Sequence, residues 1–159
     1  GQTLAFMEGH VSNYELDCLV AASFLHDLVE DYADQYGEIQ LRNQFSELTS
    51  KIVMNVCKWE GFTKTKEDYD VYFNGVASHI FSVFVKVSDR IHNLSTCVGG
   101  MSDKRILSYI VETETYFYDL IKEARRENQE YYMALTSMKQ QLEYRVKMTK
   151  MVVELRSKD

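Results

Sequence analysis

The sequence predicts an all-α fold: a helical bundle finished by one long C-terminal helix. Three observations predict it. The 159 residues contain no proline and only seven glycines, so helix breakers are few. Apolar residues recur at helical spacing, and no stretch alternates as a half-buried strand requires. From Met101 onward neither glycine nor proline occurs, which leaves long uninterrupted helices as the simplest account of the last third of the chain.

The elements follow in order. A short segment, Leu4 to Glu8, ends near Gly9. Tyr14 to Asp34 reads as a helix stopped before Gly37. Ser46 caps a helix running to Trp59, because a serine hydroxyl can accept from the free N–H groups of a first turn. Gly61 and the polar stretch Thr63 to Lys66 form a loop. Helices then cover Lys66 to Val76 and Ser78 to Ser95, with Ser78 capping the second. Gly99-Gly100 breaks the chain and Ser102 restarts it. Two long helices, 103–126 and 129–156, complete the fold.

The last helix carries Leu135, Met138, Leu142, Val146 and Val153 at core spacing, with methionines at 133, 148 and 151. At about 1.5 Å per residue it is about 40 Å long. It packs along the domain or forms the seam of a homodimer. Its register drifts from a strict heptad, so it is not a coiled coil. With no repeat, linker or low-complexity segment, residues 1–159 read as a single domain, long enough to bury a core.

Composition narrows the function. Apolar content of 45% and charged content of 26% are ordinary for a globular protein. The net charge of −6 argues against a general nucleic-acid-binding face. The acidic excess is local: residues 1–41 hold eight carboxylates and no lysine or arginine. An acidic pocket of that kind needs a cation before it can meet a phosphate. No apolar run approaches a membrane span, and no signal peptide opens the chain. Three cysteines without CxxC spacing argue against a disulfide framework or zinc knuckle and fit a reducing, cytoplasmic setting. Cys18 and Cys57 read as small hydrophobes. Cys97, near a helix end, is a minor redox candidate.

Two segments carry chemistry. The first is FLHDLVED, residues 24–31. On a helix, Glu30 lies one turn after His26 and Asp31 one turn after Asp27, so the four polar side chains fit within roughly 140° of one face. The residues before them, Cys18 to Leu25, are almost wholly apolar. An imidazole and three carboxylates ending such a helix need compensation, since unpaired buried charge is costly, and a divalent cation supplies it economically. The second is KVSDRIHNLST, residues 86–96. Asp89, Asn93 and Thr96 fall at i, i+4 and i+7, within about 60°, and Lys86 joins the edge of that stripe. Phe84, Val87, Ile91 and Leu94 fall on the opposite side. Alone, this second stripe reads equally well as the solvent face of an amphipathic helix.

HD…ED followed by K-V-S-D-R-I-H-N resembles the HD phosphohydrolase superfamily, and within it the hydrolase domain of RelA/SpoT-type alarmone enzymes, most of all the stand-alone small alarmone hydrolases. The stretch KRILSYIVETETYFYDLI, residues 104–121, is similar to the helix that follows the DRxHN motif in that family. The resemblance spans Leu16 to Arg126. It implies an HD-domain helical bundle holding one divalent cation, usually Mn²⁺, and an enzyme that removes the 3′-pyrophosphate of guanosine tetra- or pentaphosphate, the nucleotides of the stringent response. By motif match His26, Asp27 and Asp89 are the metal ligands. Glu30 and Asp31 are the catalytic carboxylates, placed to position or deprotonate the attacking water. Asn93 and Thr96 hold the nucleotide, with Lys86 a weaker substrate-binding candidate. Arg90 and Lys86 otherwise act as structural or supporting charges.

The chain departs from the pattern in one respect. The family's first metal-ligating histidine falls upstream of Gly1 by this alignment, so the N-terminal part is expected to be missing; His10 is the substitute candidate. His79 reads as a cap or surface residue, and His92 as packing. Tyr116 to Tyr118 and the pair Tyr131-Tyr132 read as core or interface. Two other functions remain: an HD hydrolase of another nucleotide phosphate, such as a dinucleotide's 2′-phosphate or a nucleoside monophosphate, and an HD-fold binding or regulatory module that has lost catalysis.

Overall fold

The computed structural model describes residues 5–32 and 35–157, and among these there are helices and turns but no strand. The described residues form two compact units, one within 8–86 and the other made of 87–157 with 5–7. The long C-terminal helix and the all-α class are as the sequence predicts.

In the unit of residues 8–86, α1 spans Asn13–Asp31. It opens with a reciprocal cap: the Ser12 hydroxyl accepts from the Glu15 N–H at 3.2 Å, and the Glu15 carboxylate accepts from the Ser12 N–H at 2.8 Å. The helix ends at Asp31 rather than Asp34, which lies outside the described residues. Gly37, read as a stop, instead begins a short helix, α2 (Glu38–Gln44), that the sequence reading missed. A Glu38–Arg42 ion pair at 2.7 Å spans one turn of it.

Helix α3 (Glu47–Val56) has the expected cap, with the Ser46 hydroxyl accepting from the Thr49 N–H at 3.0 Å. It stops at Val56, three residues short of Trp59, because Cys57 turns the backbone into an extended conformation. Trp59 and Phe62 then enter an aromatic cluster. Phe62 meets Trp59, Tyr69 and Tyr72 edge-on, with ring centroids 5.2, 5.3 and 5.8 Å away. Gly61, at φ +87, makes the turn between them. Helix α4 (Lys66–Ala77) supplies Tyr69, Tyr72, Phe73 and Val76 to the core.

Helix α5 (Ile80–Thr96) runs through the boundary between the units. Ser78 does not cap it. Ser78 closes α4, donating its hydroxyl to the Gly75 carbonyl at 2.7 Å. The cap comes from His79, whose Nδ1 accepts from the Phe81 N–H at 3.2 Å. Residues 81–87 of α5 are buried on every side, Ser82 and Lys86 included, so this half of the helix is not amphipathic.

The other unit continues through a 3₁₀ turn, Cys97–Gly99, to α6 (Asp103–Glu112). Ser102 begins α6 through its backbone carbonyl, which accepts from Arg105 and Ile106, and not through its hydroxyl. The expected helix over 103–126 is interrupted by a π-helical turn, Thr113–Phe117, before α7 (Tyr118–Glu127). A second 3₁₀ turn, Gln129–Tyr131, leads into α8 (Tyr132–Arg156). Leu135, Met138, Leu142, Val146 and Val153 of α8 are all buried, as are Leu94, Ile106, Ile110, Phe117 and Ile121 of the same unit, while Met133, Met148 and Met151 are exposed. Among the described residues no helix is long and apolar enough to cross a membrane.

Leu142 is fully buried and its truncation leaves a cavity. Leu142→Ala is expected to lower stability by about 2–5 kcal/mol in urea unfolding, and Met148→Ala, on the exposed side, by under about 0.5 kcal/mol.

Candidate metal and catalytic residues

The last two turns of α1 place the first group. His26 is buried and Asp27 beside it is exposed. The His26 Nδ1 lies 3.0 Å from the Ser23 carbonyl, which can only accept, so Nδ1 carries the proton. The His26 Nε2 faces Asp27 Oδ1, 3.2 Å away. Two electron-rich atoms that close require a positive centre, either a proton on Nε2 or a cation shared between them. An imidazole fixed by a backbone carbonyl is the usual condition of a metal-ligating histidine.

Glu30 and Asp31 follow, both exposed, at the negative end of the α1 dipole. No basic residue lies in that last turn. Glu30 is oriented by the Lys58 backbone N–H, 3.4 Å from its Oε1. Lys58 is a residue the sequence reading missed. Its ammonium rests over the Phe62, Tyr72 and Tyr69 rings at 4.8, 5.6 and 5.8 Å, which fixes the loop that touches Glu30. A cavity of about 670 Å³ opens here, lined among others by Glu30, Asp31, Tyr32, Tyr36, Lys58 and Trp59. That size suits a nucleotide-scale ligand.

Behind this group, Cys57 donates its thiol to the His26 carbonyl at 3.4 Å. Burial pushes that thiol up to about 12, the Glu30 and Asp27 carboxylates add to the rise, and Lys86 opposes it. Tyr72 donates to the Val56 carbonyl at 2.6 Å, and burial holds its phenol at about 12 against the opposing Lys86 charge. Lys86 itself is buried, its ammonium 5.8 Å from the centre of the Tyr72 ring.

The second group lies on the later turns of α5. The Asn93 amide donates to Asp89 Oδ1 at 2.8 Å, so the two residues of the polar stripe are joined directly. Thr96 is exposed, and its hydroxyl donates to the His92 carbonyl at 3.2 Å. Arg90 is buried; it pairs with Glu112 and donates to the Tyr109 carbonyl at 3.3 Å. His26, Asp27, Glu30, Asp31 and Lys86 thus belong to one unit, and Asp89, Asn93 and Thr96 to the other.

The remaining readings divide. His79 is the expected cap, and burial holds its imidazole below the usual value. His92 is exposed rather than packed. Cys97 is buried, with its thiol on the Leu94 carbonyl and pushed up by burial, which removes the redox reading. Phe117 and Tyr131 are core, Tyr116 and Tyr118 are half-buried, and Tyr132 is exposed beneath the Arg125 guanidinium. His10 is exposed, in the turn that follows Gly9.

The chain is similar to a protein of Synechocystis sp. named probable guanosine-3′,5′-bis(diphosphate) 3′-pyrophosphohydrolase, with 30% identity over 110 residues. That match covers 65% of this chain and 14% of the other protein, so the chain spans about a seventh of its relative's length. No family model matches the chain, and no solved structure matches it.

The buried thiol and phenol set a pH dependence. Their values rise on folding, from ordinary values of 9.0 for Cys57 and 10.0 for Tyr72 to about 12. The folded state therefore holds protons that the unfolded state releases. This stabilisation is fully present below about pH 9 and is lost as pH climbs toward 12. Urea midpoints are expected to be independent of the two groups up to about pH 9 and to fall above it. Cys57→Ala should remove the part of the fall that begins first.

Proposed function

We propose that this protein is a metal-dependent phosphohydrolase that removes the 3′-pyrophosphate of guanosine tetra- or pentaphosphate. The observation that carries the hydrolase reading is the His26–Asp27 pair, a tautomer-fixed imidazole facing a carboxylate at 3.2 Å with two further carboxylates one turn on. The substrate comes from the name of the Synechocystis relative, together with the HDxxED and DRxHN patterns.

In this reading His26, Asp27 and Asp89 would hold one divalent cation. One imidazole nitrogen and carboxylate oxygens form a donor set suited to Mn²⁺. Such a cation lowers the pKa of water and neutralises charge building on phosphate oxygens. Glu30 and Asp31 take the proton of the attacking water. Water adds to the phosphorus attached to the 3′ oxygen, the bond between them breaks, and the 3′ oxygen regains a proton. The products are pyrophosphate and a guanosine 5′-di- or triphosphate. Asn93 holds the Asp89 carboxylate and, with Thr96, faces the nucleotide. Lys86 supplies positive charge behind Glu30 rather than a free arm for phosphate.

The test is pyrophosphate release from guanosine tetraphosphate with Mn²⁺. Glu30→Gln or Asp31→Asn should keep the fold and the Mn²⁺ affinity while lowering turnover by about 100-fold or more. Parent-like turnover in both variants removes these residues from the mechanism. Faster turnover on a nucleoside monophosphate or a dinucleotide 2′-phosphate reassigns the substrate. Nucleotide binding without turnover on any of them identifies a binding module.

A further inference from the structure

Arg90 follows Asp89 in sequence but points into the protein instead of toward the polar stripe. Its guanidinium is buried and makes four contacts. Glu112 accepts from Nη2, and the Tyr109 carbonyl accepts from Nη1 at 3.3 Å. The Tyr109 and Phe117 rings cover it from 4.7 and 4.6 Å. Glu112 is nearly as buried as Arg90, with side-chain exposures of 12% and 6%.

The π-helical turn makes this grip geometrically available. In an uninterrupted α-helix, positions 109 and 117 would be about 80° apart around the axis. One residue absorbed in a π turn removes about 100°, which brings both rings to within about 20° of a common line. Two threonine hydroxyls support the departure from α geometry: Thr113 donates to the Tyr109 carbonyl at 2.6 Å and Thr115 to the Val111 carbonyl at 2.7 Å. The sequence T-E-T at 113–115 is the local signal for this turn.

A buried ion pair of this kind is a poor device for stability alone, since desolvation offsets its attraction. It is a good device for direction, because a planar guanidinium bonded through Nη1 and Nη2 and in contact with two rings has few orientations open to it. We propose that Arg90 is the positioning residue for Asp89: clamped by Glu112, Tyr109 and Phe117, it fixes the rotation of α5 about its own axis and so aims the neighbouring carboxylate. This rests on the reading of Asp89 as a metal ligand. A carboxylate about 6 Å from a helix axis moves about 2 Å when the helix turns by 20°, far more than a coordination site tolerates. Asn93, which donates to Asp89 from the next turn, sets the rotamer, and Arg90 sets the helix beneath it.

The experiment measures Mn²⁺ binding by calorimetry and by the electron paramagnetic resonance spectrum of the bound ion, alongside thermal unfolding. It compares the parent with Asp89→Asn, Arg90→Lys, Glu112→Gln, the double variant Arg90→Lys/Glu112→Gln, and Leu142→Ala. Arg90→Lys and Glu112→Gln should each weaken Mn²⁺ binding by about tenfold or more and broaden the spectrum. The double variant should be little worse than the poorer single one, since both break one clamp. Leu142→Ala should unfold at a lower temperature yet bind Mn²⁺ like the parent. Parent-like affinity and spectrum in both clamp variants overturn the proposal, as does an equal loss in Leu142→Ala, which would mark a merely structural role. If Arg90→Lys fails to fold, Glu112→Gln decides, because it keeps the guanidinium. Failure of both to fold also overturns the proposal. Undiminished binding in Asp89→Asn instead sinks the metal reading itself, a result separable from the clamp comparison.

Discussion

Everything in the candidate site depends on one electrostatic constraint. Helix α1 buries an imidazole and follows it with three carboxylates, at the end of a helix whose own dipole is negative and whose last turn has no basic residue. The carboxylates and the helix end contribute charge of the same sign. The fold answers only part of it locally. The Ser23 carbonyl fixes the His26 proton, the Lys58 N–H meets Glu30, and the Lys86 charge lies in the apolar layer behind. These neighbours orient the anionic groups. In the proposed reading, a cation shared by imidazole and carboxylate would cancel the excess at its source, and the same excess would be the means of holding it.

The layer behind α1 shows how far the constraint reaches. Cys57 and Tyr72 both stay protonated because burial disfavours their anions, and the nearby carboxylates push in the same direction. Lys86 opposes both effects. A thiol and a phenol held neutral are poor bases and nucleophiles, which in the proposed reading leaves proton transfer to the exposed carboxylates of the last turn. Phe62, Tyr69 and Tyr72 pack edge-on in this layer and carry the Lys58 ammonium, which converts aromatic packing into the placement of one backbone N–H at Glu30.

Much of this was legible in the sequence because it rests on local rules. Helical spacing placed the core of α8 correctly at Leu135, Met138, Leu142, Val146 and Val153. The serine cap of α3 and the join between Asp89 and Asn93 follow from i, i+3 and i, i+4 geometry. The failures arise where two neighbours compete for one signal. Gly37 serves as a stop for one helix and a start for the next, so α2 was missed. Ser78 closes the helix before it while His79 caps the one after. The stripe opposite Asp89 suggested an amphipathic helix, yet the first half of α5 is buried on all sides, a property of tertiary packing that no local period encodes. Lys58 escaped notice because its role depends on rings brought together by the fold.

Arg90 belongs to this last class and shows why a motif's least reactive member can matter. In the string K-V-S-D-R-I-H-N, Asp89 and Asn93 share one side of the helix, while Arg90 lies about 100° from Asp89. No phosphate or metal can reach a guanidinium enclosed by Tyr109, Glu112 and Phe117. Its charge is nonetheless buried at a cost, beside a helix bent out of α geometry to receive it. A leucine at that position would pack without a partner and leave α5 free to turn among several similar packings. The fork of Arg90 removes that freedom, because rotating the helix would break the Glu112 pair, the Tyr109 carbonyl bond and two ring contacts together. The energetic burden of the buried pair is thereby converted into a single direction for the carboxylate one residue away.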